Sequence, residues 1–160
     1  DALKDQIDAW IKAKGYDRTK ILLSRATITF PFSAPENIDK LTHYPAYLFP
    51  CYRKKETDYN ITYYYNCDDI NSNGNAKGVL DRTFNYYSGD ITSTIQKMIT
   101  KERSELDNTY NFWLMPISSS TNSYGTTSYS INIFDYNGGQ LNGPASSNPP
   151  TLQLFYTIMK

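Results

Sequence analysis

Arg25-Ala26-Thr27-Ile28-Thr29-Phe30 places three apolar side chains, Ala26, Ile28 and Phe30, at every second position with polar residues between them. Successive side chains of a strand point to opposite faces, so this stretch reads as a β-strand with one buried and one wetted side. Pro31 and Pro35 follow, and proline's missing N–H marks the end of the strand. Outward from here, the same enrichment in β-branched and aromatic residues returns at 46–52, 59–66, 83–87, 109–117, 128–136 and 151–159. Seven such segments in 160 residues predict an all-β fold, an antiparallel β-sandwich of two sheets, jelly-roll-like, over residues 20–160.

Two stretches break the period of two. Leu3, Ile7, Trp10 and Ile11 recur at helical spacing between Asp1, a candidate cap, and Gly15, a candidate stop, which predicts a short helix over 1–15. After Tyr86-Tyr87-Ser88-Gly89-Asp90, the residues Ile91, Ile95, Met98 and Ile99 return to helical spacing, with Asp90 or Thr92 as cap and an end near Arg103. The expectation is therefore two short α-helices. Segments 68–78, 118–127 and 137–150 are loops by composition, and no internal repeat or linker divides the chain, so 1–160 is one domain.

Composition excludes several classes of function. Sixteen Lys+Arg balance sixteen Asp+Glu, which leaves no basic excess for a phosphate backbone and makes nucleic acid an unexpected partner. Fifteen Tyr, seven Phe and two Trp speak against disorder, despite a mean hydropathy of −0.59. The longest apolar run, Phe112-Trp113-Leu114-Met115-Pro116-Ile117, is far short of the roughly 20 residues that span a bilayer. The chain starts at Asp1 with no basic-then-apolar leader, as expected of a processed protein or a portion of a longer one.

Candidate chemistry is sparse. His43 is the single histidine, it lies in Leu41-Thr42-His43-Tyr44-Pro45, and no G-x-S-x-G elbow accompanies it, so a solvent-facing loop residue is expected. Asp68, Asp69 and Asp81 stand beside turn residues, where carboxylates commonly accept backbone hydrogen bonds, although a spatial carboxylate pair would leave no trace in sequence. Asp69-Ile70-Asn71-Ser72-Asn73-Gly74-Asn75 fits the first six positions of an EF-hand calcium loop. Its twelfth position is Leu80, Asp81 is one residue out of register, and strands flank it, so a structural turn competes with the calcium reading. Cys51 and Cys67 fit neither a C-x-x-C pair nor a zinc site. A turn at Lys54-Lys55-Glu56-Thr57-Asp58 would bring their strands together, yet symmetry about it sets Cys51 opposite Ile61, leaving a disulfide and two inert thiols both open. Tyr59-Asn60-Ile61-Thr62 holds an N-x-T sequon. Trp113 and Tyr63-Tyr64-Tyr65 could form a sugar-stacking platform, with Tyr64 on the face opposite Tyr63 and Tyr65; packing in a core is the competing role, as for Trp10.

Four stretches resemble a known family. Leu22-Leu23-Ser24-Arg25-Ala26-Thr27-Ile28-Thr29-Phe30 is similar to its first strand and Tyr44-Pro45-Ala46-Tyr47-Leu48 to its second. Phe84-Asn85-Tyr86-Tyr87-Ser88-Gly89-Asp90-Ile91-Thr92-Ser93-Thr94-Ile95-Gln96-Lys97-Met98-Ile99 is similar to its "Y-x-F-D-I-T-x-x-I-Q-x-L" strand-to-helix signature, and Leu152-Gln153-Leu154-Phe155-Tyr156-Thr157 to its last strand. Together, over residues 20–158, they resemble the C-terminal part of a Bacteroidetes family of surface lipoproteins of unknown function, and more distantly jelly-roll modules like carbohydrate-binding domains. Arg25 and the Ser118–Asn122 stretch depart from the pattern without breaking it.

The resemblance implies an exported protein at the outer membrane or cell surface, or in the periplasm. Its contact with the membrane would run only through a lipid anchor on a cysteine upstream of Asp1. The expected role is a noncatalytic envelope module, not an enzyme, that binds or assembles with a glycan or an envelope protein; a polysaccharide-acting hydrolase or lyase is the alternative. The sequence assigns no catalytic residue, no metal ligand, no cofactor and no particular ligand-binding residue.

Overall fold

The computed structural model describes residues 2–56, 61–72, 74–106, 112–130 and 139–160. Eight strands form an antiparallel sheet: β1 (Ile21–Pro31), β2 (Tyr47–Glu56), β3 (Ile61–Asn66), β4 (Val79–Asp81), β5 (Tyr86–Asp90), β6 (Phe112–Thr121), β7 (Thr127–Ser130) and β8 (Thr151–Ile158). Their order is β7-β6-β2-β4-β5-β1-β8, with β3 also paired to β2. The all-β antiparallel architecture expected from the sequence is the one observed, in sandwich-like form. Two four-stranded limbs, β7-β6-β2-β3 and β4-β5-β1-β8, remain linked in one sheet through the single partner pair Tyr47 and Val79.

That joint depends on a glycine. Leu48 N–H donates to the Gly78 carbonyl at 3.0 Å and Leu80 N–H to the Ala46 carbonyl at 3.1 Å. Gly78 has φ +57°, and a Cβ there would lie 2.1 Å from the Leu48 carbonyl oxygen. Only glycine fits both the left-handed backbone and the close approach.

Three α-helices are described where two were expected: α1 (Ala2–Lys14), α2 (Asp68–Ser72) and α3 (Thr92–Thr100). The third, α2, together with a 3-10 turn at Gly74–Lys77, replaces most of the loop expected at 68–78. Ile7 and Ile11 of α1, Ile95, Met98 and Ile99 of α3, and Ile21, Leu23 and Ala26 of β1 form one core cluster, with Ile91 and Leu106. Phe112 of β6 and Leu152 and Leu154 of β8 pack against it, so the helices tie the two limbs together. Ile91, Ile95, Met98 and Ile99 are each 0% exposed, and burying a side chain of this size contributes about 1.5–3 kcal/mol. Lys4 is also fully buried; its ammonium donates to Asp8 at 2.6 Å and to the Met98 carbonyl at 2.8 Å, latching α1 to α3.

The limited reach of β5, which pairs β1 only from Thr27 to Pro31, leaves part of β1 without a strand on that side, while β8 pairs the other side from Ile21 to Thr29 with a β-bulge between Leu23 and Arg25. Helix α3 fills that role. Leu23 N–H donates to Gln96 Oε1 at 2.7 Å, and Gln96 Nε2 donates to the Ile21 carbonyl at 2.9 Å. Ala26 N–H donates to Thr92 Oγ1 at 2.8 Å while the Ala26 carbonyl accepts from Ile91 N–H at 2.9 Å. Buried backbone groups must be paired, and here two side chains and one helix-start amide do it. The helix start is itself held: Asp90 accepts from Thr92 N–H at 3.1 Å, and Asp69 from Ser93 N–H at 2.7 Å and Thr94 N–H at 2.9 Å.

Several boundaries differ from the sequence expectation. The strand expected at 83–87 lies at Tyr86–Asp90, because Asp81 Oδ1 accepts from Thr83 and Phe84 N–H and Asn85 adopts φ +57°, making a turn first. Strand β4 was not expected. Serines 118–120 extend β6 instead of opening a loop, and Gly125, at φ +78°, closes a tight turn into β7. Helix α3 ends at Thr100, short of Arg103. The Asp1 cap and the expected strand portions at 59–60, 109–111 and 131–136 lie outside the described residues.

Replacing Gln96 by Ala strands the Leu23 amide and the Ile21 carbonyl and is expected to cost on the order of 2 kcal/mol in urea unfolding, while Thr100→Ala on the exposed side of α3 stays near wild type. Gly78→Ala is expected to destabilise far more than Gly125→Ala, since both carry positive φ but only Gly78 is crowded, with nothing within 4 Å of a Cβ at Gly125; thermal melts of the pair check this.

Candidate functional site

Strand alternation and register build the site. In the β2–β6 pair, Tyr47, Phe49 and Cys51 face Ile117, Met115 and Trp113; in the β2–β3 pair, Cys51 and Arg53 face Asn66 and Tyr64. All these side chains share one face. Phe49, Cys51, Met115 and Ile117 form the floor of a trough of about 490 Å³, a size in the range of small-ligand sites. One wall is β7. Its Tyr129 ring stands 5.5 Å from the rings of both Tyr47 and Phe49. The other wall is α2 and the turn after it, which supply Ile70 and Lys77. The Lys77 ammonium lies 4.2 Å from the Tyr129 ring centre and donates to the Tyr129 hydroxyl at 2.9 Å.

At the β3 end of the trough, Tyr64 lines the wall and meets Trp113 edge-on, with ring centres 5.9 Å apart at 74°. Arg53 places its guanidinium 4.7 Å from the Trp113 ring centre. Trp113 is 39% and Tyr64 41% exposed, so this pair forms a surface platform rather than a core contact. Tyr63 and Tyr65 lie on the opposite face, as alternation requires, where Tyr65 stacks on Tyr52 at 5.6 Å. Trp10, in contrast, packs with Tyr16 and Tyr156 and against the helical core.

The carboxylates are placed elsewhere. Asp69 is buried and accepts from the first turn of α3, Asp68 pairs with Lys97, and Asp81 serves its own turn. The segment that matches a calcium loop in sequence thus folds as α2 and a 3-10 turn, with Asp69, its first candidate ligand, engaged by α3; Asn73 lies outside the described residues. Among the described residues no cluster of three His, Cys, Asp or Glu converges on one point. His43 is exposed at the end of the 3-10 turn Ile38–His43. Asn60 of the sequon lies outside the described residues.

Cys51 and Cys67 are buried free thiols. Strand β2 runs on through Glu56, which pairs with Ile61, instead of turning at Lys54, so Cys51 faces Asn66 and not a residue near Ile61. Cys67 is one position further along, with its N–H donating to the Pro50 carbonyl, and a neighbour on a strand projects to the opposite face. Burial pushes the Cys51 thiol up to about 11 and that of Cys67 to about 12.

The trough residues Phe49, Lys77, Met115 and Tyr129 were not singled out from sequence. The alternation Tyr47-Phe49-Cys51 carried a signal for the floor, but nothing local revealed that β7 and the turn after α2 would stand on either side of it. No family model, curated protein or solved structure matches this chain.

Because a thiolate is the reactive form, alkylation of native protein is expected to stay slow up to about pH 9, while the unfolded, unreduced chain yields two modified cysteines by intact mass. A mass lower by two hydrogen atoms, with no modification, would show a disulfide instead.

Proposed function

We propose that this domain is a noncatalytic binding module of the bacterial envelope that takes a glycan at the Tyr64–Trp113 platform and the adjoining trough. The carrying observation is an exposed pair of aromatic rings beside a concavity with polar groups on its walls. Aromatic rings provide large, stiff contact area at low entropic cost, and the face of a sugar ring is apolar enough to stack on one. The hydroxyl of Tyr129 and the carboxamide of Asn66 line the same trough, with Ser128 and Ser130 of β7 at its rim, and supply donors and acceptors for sugar hydroxyls. A few placed polar groups around an apolar floor are what orient a small ligand. The resemblance of the strand-to-helix segment to exported surface lipoproteins supports an outer-membrane or cell-surface location for such a module.

The three carboxylates that a hydrolase or lyase reading would use are engaged with a helix start, an ion pair and a turn. The binding reading asks nothing of them. His43 likewise has no role in it.

The test is retention of the purified domain on a panel of polysaccharides, with release of reducing ends or unsaturated products followed in the same tubes. Retention without turnover is expected, with Trp113→Ala weakening it by about tenfold or more, as for a buried aromatic anchor, at unchanged circular dichroism. Turnover that Asp68→Asn, Asp69→Asn or Asp81→Asn abolishes in folded protein would overturn the reading, as would retention indifferent to both Trp113→Ala and Tyr64→Ala.

A further inference from the structure

Resting on that reading, we infer that the glycan is anionic, carrying carboxylate or sulfate groups that Lys77 and Arg53 receive. Among the described residues Lys77 is the only charged side chain lining the trough and no carboxylate lines it, and the charged side chain on the platform is Arg53. Neither Lys77 nor Arg53 forms an ion pair among the described residues, a property they share with Lys12, Lys14, Lys20, Lys40, Arg82 and Lys101; what sets them apart is their place at the trough and the platform. The chain as a whole is neutral, so the placing of these two cations at the trough and platform is a local feature and not a reflection of net charge.

Both cations are also positioned rather than merely present. Lys77 is half-buried, and its ammonium spends one donor on the Tyr129 hydroxyl at 2.9 Å, which leaves two for a ligand. Arg53 is fixed over Trp113 by a cation–π contact of 4.7 Å. A guanidinium held over a ring keeps its N–H groups for a planar or tetrahedral anion, which it grips with two bonds at once. A sugar ring stacked on Tyr64 would thus meet Arg53, held over the neighbouring Trp113, at the platform, and the next part of the glycan would meet Lys77 within the trough. Charge-assisted bonds of this kind are about twice as strong as neutral ones, so a neutral glycan would leave the strongest groups of the site unused.

Two matched polymer pairs test this: polygalacturonate against its methyl ester, and dextran sulfate against dextran. In each pair the backbone is kept and the charge removed. The charged member of at least one pair is expected to bind about tenfold or more tightly than its neutral counterpart, a preference that Lys77→Gln and Arg53→Gln remove and Lys77→Arg preserves. Trp113→Ala should weaken that binding as well. Equal binding of charged and neutral members would overturn the anionic inference and leave the platform reading standing. Failure to retain any of the four polymers would count against both. Retention of a polyanion that persists in Trp113→Ala while vanishing with salt would be adsorption to charge alone, and would overturn the inference.

Discussion

The edge of β1 is the constraint around which the rest is arranged. A strand in the interior of a sheet needs partners on both sides, and β1 has β8 along one side but β5 along only part of the other. The missing partner is supplied by α3, through one carboxamide, one hydroxyl and one amide at its start. This arrangement fixes where the chain must turn from strand to helix, and which residues must stand at that turn. Ile91 ends the strand pairing, Thr92 and Gln96 lie one turn apart on the same side of the helix, and Ile95, Met98 and Ile99 fall on the buried side. Asp69, reaching from α2, closes the helix start and thereby fastens the segment after β3 to the second limb.

That fastening has a functional reach. The wall of the trough that carries Lys77 is the short turn following α2, and α2 is secured through Asp69 to α3. The floor belongs to β2 and β6 and the opposite wall to β7. The site therefore draws on segments from residue 49 to residue 130, its α2 wall tied by Asp69 to the start of the helix that completes the sheet. Strands and a helix-and-turn segment thus place the cations and rings around one concavity.

How far the sequence discloses this follows from how local each signal is. Alternation in 25–30 and 46–52 and the helical spacing of Ile91, Ile95, Met98 and Ile99 are properties of neighbouring residues, and the corresponding elements are found there. The division of Tyr63, Tyr64 and Tyr65 between faces follows from the same geometry. Strand β4 is three residues long and exists because Gly78 lets the chain approach Leu48, a contact between distant segments that periodicity cannot express. The 68–78 segment, rich in Asn and Gly, reads as a loop on composition, and its helix is favoured by Asp69 reaching a partner 24 residues away. Lys77 and Tyr129 meet only once both have formed. Concavities assembled from several segments leave this kind of faint trace.

The two thiols bear on how the protein reaches its native state. In the folded domain they need no oxidant and offer no thiolate near neutral pH, so the compartment in which folding occurs does not enter its energetics through them. Before folding the situation is reversed, because both are open to an oxidising environment and only 16 positions apart. A bond between them would require Cys67 to take the place that Asn66 holds opposite Cys51. That is a slip of one residue, and in a strand a slip of one residue exchanges the two faces. Tyr64 would leave the trough and Tyr63 and Tyr65 would enter it, so a single premature oxidation would rewrite the lining of the trough while leaving a plausible hairpin behind.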